Sequence, residues 1–366
     1  MEKRKSPMNY DFRIDILRDY IKIGEAKAES VSIRYDYNSE VMKGIKLDMK
    51  RADMTKIINA IDDGNGGITF QEAQYQFDMF KDRIRPVLIR DGVETSLGIY
   101  MIIANPQTLS DLTDYYSIEG YDETMIVKQA CFEDREYYAA GTGYLTIVQQ
   151  MLTSLGFANV IADASSAALT EDLEVDPGTN VLEFVNQMLD AINYQHVYAD
   201  ASGAINLRKF INPTEPEFIY RDSGRFSIIP PITRTTDIYD LPNVVVGVWS
   251  SPDSDTPIVY KKVNDDPMSL ISTVNRGYKV VKKIYMHSIA SEDEMQAYVE
   301  KTAFNAMQMT ETISFDTPIE GGHEPNTAIQ IDTADVKGLF IETGWTIQAS
   351  SRAFTMNHKV ERKVFV

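Results

Sequence analysis

VSIRYDYNSEVMKGIKLDM, residues 31–49, is the stretch that decides the fold class. Val31, Ile33, Tyr35 and Tyr37 alternate with Ser32, Arg34 and Asp36, and Ile45, Leu47 and Met49 repeat the pattern around Lys46 and Asp48. A period of two puts one set of side chains on one face of an extended strand, whereas a helix needs a period near 3.6. Upstream, Phe12, Ile14 and Ile16 alternate in the same way. Downstream, Ile84–Ile89 and Ile99–Ala104 flank Asp91-Gly92, a tight-turn pair that tolerates positive φ, and Ser117–Tyr121 adds a short strand. Strands at this spacing predict an antiparallel barrel or sandwich over residues 10–125.

The pattern then changes. Leu145, Val148, Met151, Leu152 and Leu155 fall at helical spacing, and Gly156 supplies the stop. A second helix begins at Asn180, with Glu183 placed for a capping box and Val181, Val185, Met188, Leu189 and Ile192 as its stripe. Gln195–Ala199 and Ala204–Phe210 then form a hairpin through Asp200–Gly203. Beyond residue 215 the β pattern returns. Asn243–Trp249 (NVVVGVW) reads as a strand covered on both faces. One helix interrupts this block over about 291–309, with a capping box at Ser291 and Glu294 and a face of Met295, Val299, Thr302, Ala306 and Met309. Thr312–Phe315, Ala328–Ile331, Leu339–Glu342, Trp345–Ala349 and Ala353–Val360 read as closing strands. The order is β, α/β, β: a first β module at 1–125, a small α/β domain at 126–212, and a second β module with an inserted helix at 213–366.

The 366 residues are 43% hydrophobic and 25% charged, enough apolar material for packed cores. The net charge of -18 argues against stable nucleic-acid binding, which needs clustered Lys and Arg. The two basic runs, Met1–Lys5 and Lys359–Lys363, read as solvated tails. A single cysteine, Cys131, excludes an intrachain disulfide and a cysteine zinc cluster, and beside Phe132 it reads as a small core residue. No apolar run is long enough for a membrane helix, and the N-terminus carries no secretory h-region.

No motif carries a reaction. Asp62–Glu72 imitates a calcium loop, with Asp63, Asn65, Ile68 and Glu72 in register, but position one falls on Ile61, which has no ligand oxygen. A Gly-rich hairpin turn followed by strand explains it better. The four histidines, His196, His287, His323 and His358, have no local metal-ligand spacing, so a metal site requires long-range convergence. His323, in a Gly-Gly-His-Glu-Pro loop, reads as structural. Gly141-Thr142-Gly143 opens a helix but lacks the third glycine of a dinucleotide site. Adjacent acids such as Asp265-Asp266 give no acid–base geometry. The sequence therefore predicts no catalytic, metal or cofactor-binding residue and no cofactor. Tyr35, Tyr37, Tyr100, Tyr115, Tyr116 and Tyr121 are expected in strand cores or protein contacts.

Several stretches resemble the tail-hub proteins of phages and prophages. Asp82–Pro86, Gly98-Ile99-Tyr100 and Ser117–Asp122 are similar to the end of that family's first barrel. Ala140-Gly141-Thr142, Pro177-Gly178-Thr179 and Ile192-Asn193-Tyr194 resemble its α/β insert. Asp240–Asn243, Ser272–Gly277, Glu342–Trp345 and Met356–Lys359 resemble its later section, so the likeness spans roughly residues 80–366. The resemblance implies two tube-like barrels per chain and a homotrimeric ring. Six barrels would then meet a sixfold tail tube while the other face stays threefold for a spike. The implied partners are the tube, the spike, the tape measure protein and other baseplate proteins. The particle would assemble in the bacterial cytoplasm and leave by lysis. Rival expectations are a tail-associated peptidoglycan hydrolase and a receptor-binding tip of a non-contractile tail.

Overall fold

Alternating apolar residues dominate the chain, and strands follow from them. The computed structural model describes residues 10–50, 57–62, 68–73, 78, 80–104, 107–108, 115–224, 227–237, 239–249, 257–286, 292–350 and 354–364. The chain is mainly β, 49% strand against 15% helix.

The front block holds β1 (Tyr10–Arg18), β2 (Ile21–Ala26), β3 (Ser30–Asp36), β4 (Lys43–Lys50), β5 (Ile57–Asp62), β6 (Ile68–Ala73), β7 (Asp82–Arg90), β8 (Val93–Ser96), β9 (Tyr100–Ala104), β10 (Gln107–Thr108) and β11 (Tyr115–Asp122). In β3 and β4, Val31, Ile33, Tyr35, Ile45, Leu47 and Met49 are all buried, as the period of two requires. Asp91 and Gly92 both take positive φ and turn β7 into β8, not into the strand at 99–104. That later strand, β9, pairs β7 further down, at Arg83–Met101 and Ile84–Tyr100. The segment imitating a calcium loop is a hairpin of β5 and β6 in register Asp62 to Ile68; Asp63 and Asn65 lie outside the described residues.

The middle block has α1 (Thr124–Gln129), β12 (Glu136–Tyr138), α2 (Tyr144–Ser154), β13 (Val160–Ala162), β14 (Leu173–Val175), α3 (Val181–Asp190), β15 (Tyr198–Ala199) and β16 (Ile205–Leu207). Its own cluster joins Val148, Leu152, Val185, Leu189 and Ile205. Half of the expected capping box forms: Asn180 accepts from the Glu183 N–H at 3.2 Å, while the Glu183 carboxylate takes Gln187 at 3.3 Å. Cys131 is exposed, contrary to the core reading. Extended backbone there turns Phe132 inward, edge-on to Phe184 with ring centroids 5.1 Å apart, and leaves the thiol outside.

The rear block has β17 (Phe218–Arg221), β18 (Ile229–Asp237), β19 (Val244–Trp249), β20 (Ile258–Val263), α4 (Thr273–Arg276), β21 (Val281–Met286), α5 (Glu292–Ala306), β22 (Met309–Pro318), β23 (Ala328–Asp332), β24 (Lys337–Ser350) and β25 (Phe354–Val364). The strands expected at 339–342 and 345–349 are one long strand, β24. Helix α5 stops at Ala306 and buries Met295, Val299 and Ala303; Met309 belongs to β22, and the expected cap Ser291 lies outside the described residues. The run Lys359–Lys363 is no tail: it lies in β25, with Val360 buried and Arg362 bonded to Glu311 at 2.5 Å.

The main sheet runs β18-β22-β25-β24-β3-β4-β11-β9-β7-β1-β2, so front and rear blocks share one strand path. Among the described residues this path is open at β18 and β2, and no pairing closes either half into a barrel. β19 stands apart, as the centre of a three-stranded sheet with β20 and β21. α5 covers one face, where Val245 meets Met295 and Val299; on the other, among the described residues, Val244 is buried and Val246 and Val248 are half-buried, while Val259, Val281 and Tyr285 on the flanking strands are exposed.

Candidate functional site

The seam between front and rear blocks is the place where distant parts of the chain converge. β24 serves both sides. Its first part, Lys337–Ile341, pairs β23, and its last part, Gly344–Ser350, pairs β3. Between them the register with β25 shifts at Glu342–Gly344, a bulge. Bulges bend a strand and re-aim one side chain. Here the bulge lets one strand turn from the rear core to the front core. Past it, Trp345 faces Tyr35, Ile347 faces Ile33 and Ala349 faces Val31, all apolar cross-strand pairs. Gly344 permits the approach: a Cβ on it would meet the Tyr35 carbonyl oxygen at 3.2 Å.

The side chain aimed inward at the bulge is Glu342. Its carboxylate accepts from His323 Nδ1 and His358 Nδ1, each at 2.7 Å, and all three side chains are buried. The outer nitrogens are also engaged: His323 Nε2 lies 3.1 Å from the Tyr220 hydroxyl and His358 Nε2 lies 2.8 Å from Thr317 Oγ1. Phe218 stacks on His323 at 4.0 Å and Phe315 on His358 at 4.8 Å between centroids. Burial pushes the Glu342 carboxyl up, but the charge and N–H bonds of the two histidines outweigh that and hold it below its ordinary value. Burial pushes His358 below 6.5, against the pull of Glu342.

Two imidazoles and a carboxylate are a donor set a metal ion uses. The spacing here fits hydrogen bonds instead. Ligands at bonds of about 2.1 Å around a tetrahedral ion stand roughly 3.3 Å apart, wider than the 2.7 Å seen between Glu342 and each ring. The arrangement holds protons and shape.

Next to His323, Glu324 ties in the middle block. Its carboxylate takes the buried Lys43 ammonium at 3.0 Å and the Ala201 N–H at 3.3 Å. Lys43 also donates to the Ala199 carbonyl at 3.0 Å, and Ser96 Oγ donates to the Ala201 carbonyl at 2.6 Å. Asn326 donates to the Ile211 carbonyl at 2.6 Å. The loop at 319–327 thus pins front, middle and rear blocks together. Sequence reading found none of this network. It judged His323 structural and saw that histidines would have to converge at long range, which they do. Glu342 and Lys43 gave no signal, because a strand residue's partner is set by sheet register and not by local spacing.

No protein-family model matches the chain, and no curated protein matches it. Solved structures do. A tail protein from Neisseria meningitidis MC58 superposes with a TM-score of 0.62 over 96% of each chain, at 12% identity. The 43 kDa tail protein of prophage MuSo2 from Shewanella oneidensis gives 0.63 over 96% of this chain and 98% of that one, at 10% identity. A chain of the lidded Francisella PdpA-VgrG complex gives 0.56, covering 96% of this chain and 53% of that one, at 7% identity. Over 96% of its length the chain therefore has the fold of these tail proteins, in line with the resemblance to phage and prophage tail proteins.

Proposed function

We propose that this chain is a structural hub subunit of a phage-type tail, a non-enzymatic adaptor between a sixfold tube and a threefold spike. In this reading the blocks 1–125 and 213–366 are two tube-like units and 126–212 is the insert between them. Three copies form a ring, which gives six such units and forms part of the ejection conduit. The ring also contacts the tape measure and other baseplate proteins. It assembles in the bacterial cytoplasm and leaves with the particle on lysis. One observation carries this: a single strand, β24, belongs to both blocks, so their relative pose is fixed by backbone pairing. A ring that must present unlike units at set angles needs that rigidity, because heterologous contacts close only at the right rotation. Full-length superposition on prophage tail proteins supports the same reading. The test is mass photometry of the full chain with its spike partner, followed by cryo-EM of the particle. Trimers capping the tube are expected; a monomer under every condition, or a position away from the tube end, overturns the proposal.

A further inference from the structure

Strand register defines an unusual surface on the β20-β19-β21 sheet. Three rows lie across the face turned away from α5: Val263, Val244 and Val281; Lys261, Val246 and Lys283; Val259, Val248 and Tyr285. Paired residues share a face, and the alternate rows, which include Val245, Trp249, Ile258 and Ile284, are the ones packed with α5. Among the nine positions six are valine, one is tyrosine and two are lysine; of the valines Val244 is buried, and the other five are half-buried or exposed. Tyr285 is 64% exposed, Val281 54% and Val259 50%. Apolar surface gathered in this way on a folded protein marks a contact. The face is also electropositive. Two of the four lysines on the three strands, Lys261 and Lys283, share this face, and no acid does, in a chain of net charge -18.

The chain holds a surface of complementary kind. The middle block, residues 126–212, has eleven acidic residues against four basic ones. On its two-stranded β12–β14 sheet, Tyr137 pairs Glu174 and is 56% exposed, with Asp172 and Glu136 exposed beside it and Arg135 the one base, set against Glu174 and Asp176. An aromatic ring rimmed by carboxylates matches a valine face rimmed by lysines. We propose that this valine–lysine face is the subunit contact for a second copy of the chain, receiving that copy's acidic β12–β14 sheet. The contact is heterologous, so repeating it around an axis closes a ring. The inference rests on the ring reading above and names the surface through which the ring forms.

Charge reversal in both directions tests it, with full-length chain throughout. Mass photometry and light scattering across a concentration series would compare wild type, K261E/K283E, D172K/E174K and an equimolar mixture of the two variants. All four substituted residues are exposed, so unchanged circular dichroism and unfolding midpoints will show that the variants fold. Each variant alone should weaken association roughly tenfold or more. In a ring of three, mixing re-pairs opposite charges at two of the three contacts and leaves one like-charged, so the mixture should recover part of the loss, chiefly as dimers of unlike copies. Carbodiimide coupling between isotope-labelled and unlabelled copies should join Lys261 or Lys283 of one to Asp172 or Glu174 of the other. If wild type forms trimers that neither reversal weakens, this contact is wrong and the ring stands. If wild type stays monomeric alone and with the spike, the ring falls and the contact with it.

Discussion

The seam and the valine–lysine face are opposites. At the seam, a carboxylate, two imidazoles and an ammonium are buried, with partners for each. On the outer face, five half-buried or exposed valines and a tyrosine stand with only two lysines. Burying polar groups is costly unless each is paired, and in return pairing fixes geometry. Exposing apolar groups is unfavourable until something covers them. The contrast teaches that polarity alone does not separate inside from outside in this fold. The seam spends its polar groups on one internal pose, and the outer face keeps its apolar groups for another molecule.

The contrast breaks first, if it breaks, at Glu342. Replacing it with Ala leaves two buried rings without their acceptor, and chemical unfolding should show a loss of about 3–5 kcal/mol. A loss under about 1 kcal/mol would mean that the network is not holding the seam. Lys43→Met is expected to cost less, about 1–3 kcal/mol, because Glu324 is partly exposed and water can replace its partner. Acidification sharpens the same point. His358 is depressed in the folded state, so the unfolded chain binds the proton first and stability falls as pH drops below 6.5. Glu342 is also depressed, so its contribution is present above 4.5 and is lost as pH falls through its folded value. Unfolding midpoints measured from pH 8 to pH 3 should hold down to about pH 6.5 and decline below it, and the carboxylate part, which sets in below pH 4.5, should be missing in Glu342→Gln. The smallest effect belongs to the outer face: Tyr285→Ser should move the unfolding free energy by less than about 0.5 kcal/mol while weakening self-association.

Much of the β content was legible because strands announce themselves. Val31, Ile33, Tyr35, Ile45, Leu47 and Met49 are buried as their alternation requires. The two helices of the middle block were readable for the equivalent reason, a stripe with a stop or a cap. What could not be read was pairing. β7 takes β8 at its turn because Asp91-Gly92 fixes only the nearest partner, and nothing local says that β9 joins lower down. Glu342 sits at a bulge, where the expected gap between two strands is a kink within one. His323 and His358 meet it from a loop and from β25, a convergence no local spacing encodes. Cys131 and the run Lys359–Lys363 were misread because side-chain orientation and tail-like composition depend on neighbours far along the chain.

The pairing of β3 with β24 also has a consequence during synthesis. β3 leaves the ribosome early, and its outer rim has to wait about three hundred residues for its mate. For that interval the nascent chain carries a bare hydrogen-bonding rim next to Val31, Ile33 and Tyr35, the kind of template on which chains aggregate. Strand β24, translated about three hundred residues later, therefore acts as the fastener of β3, and truncations near residue 340 should give insoluble protein.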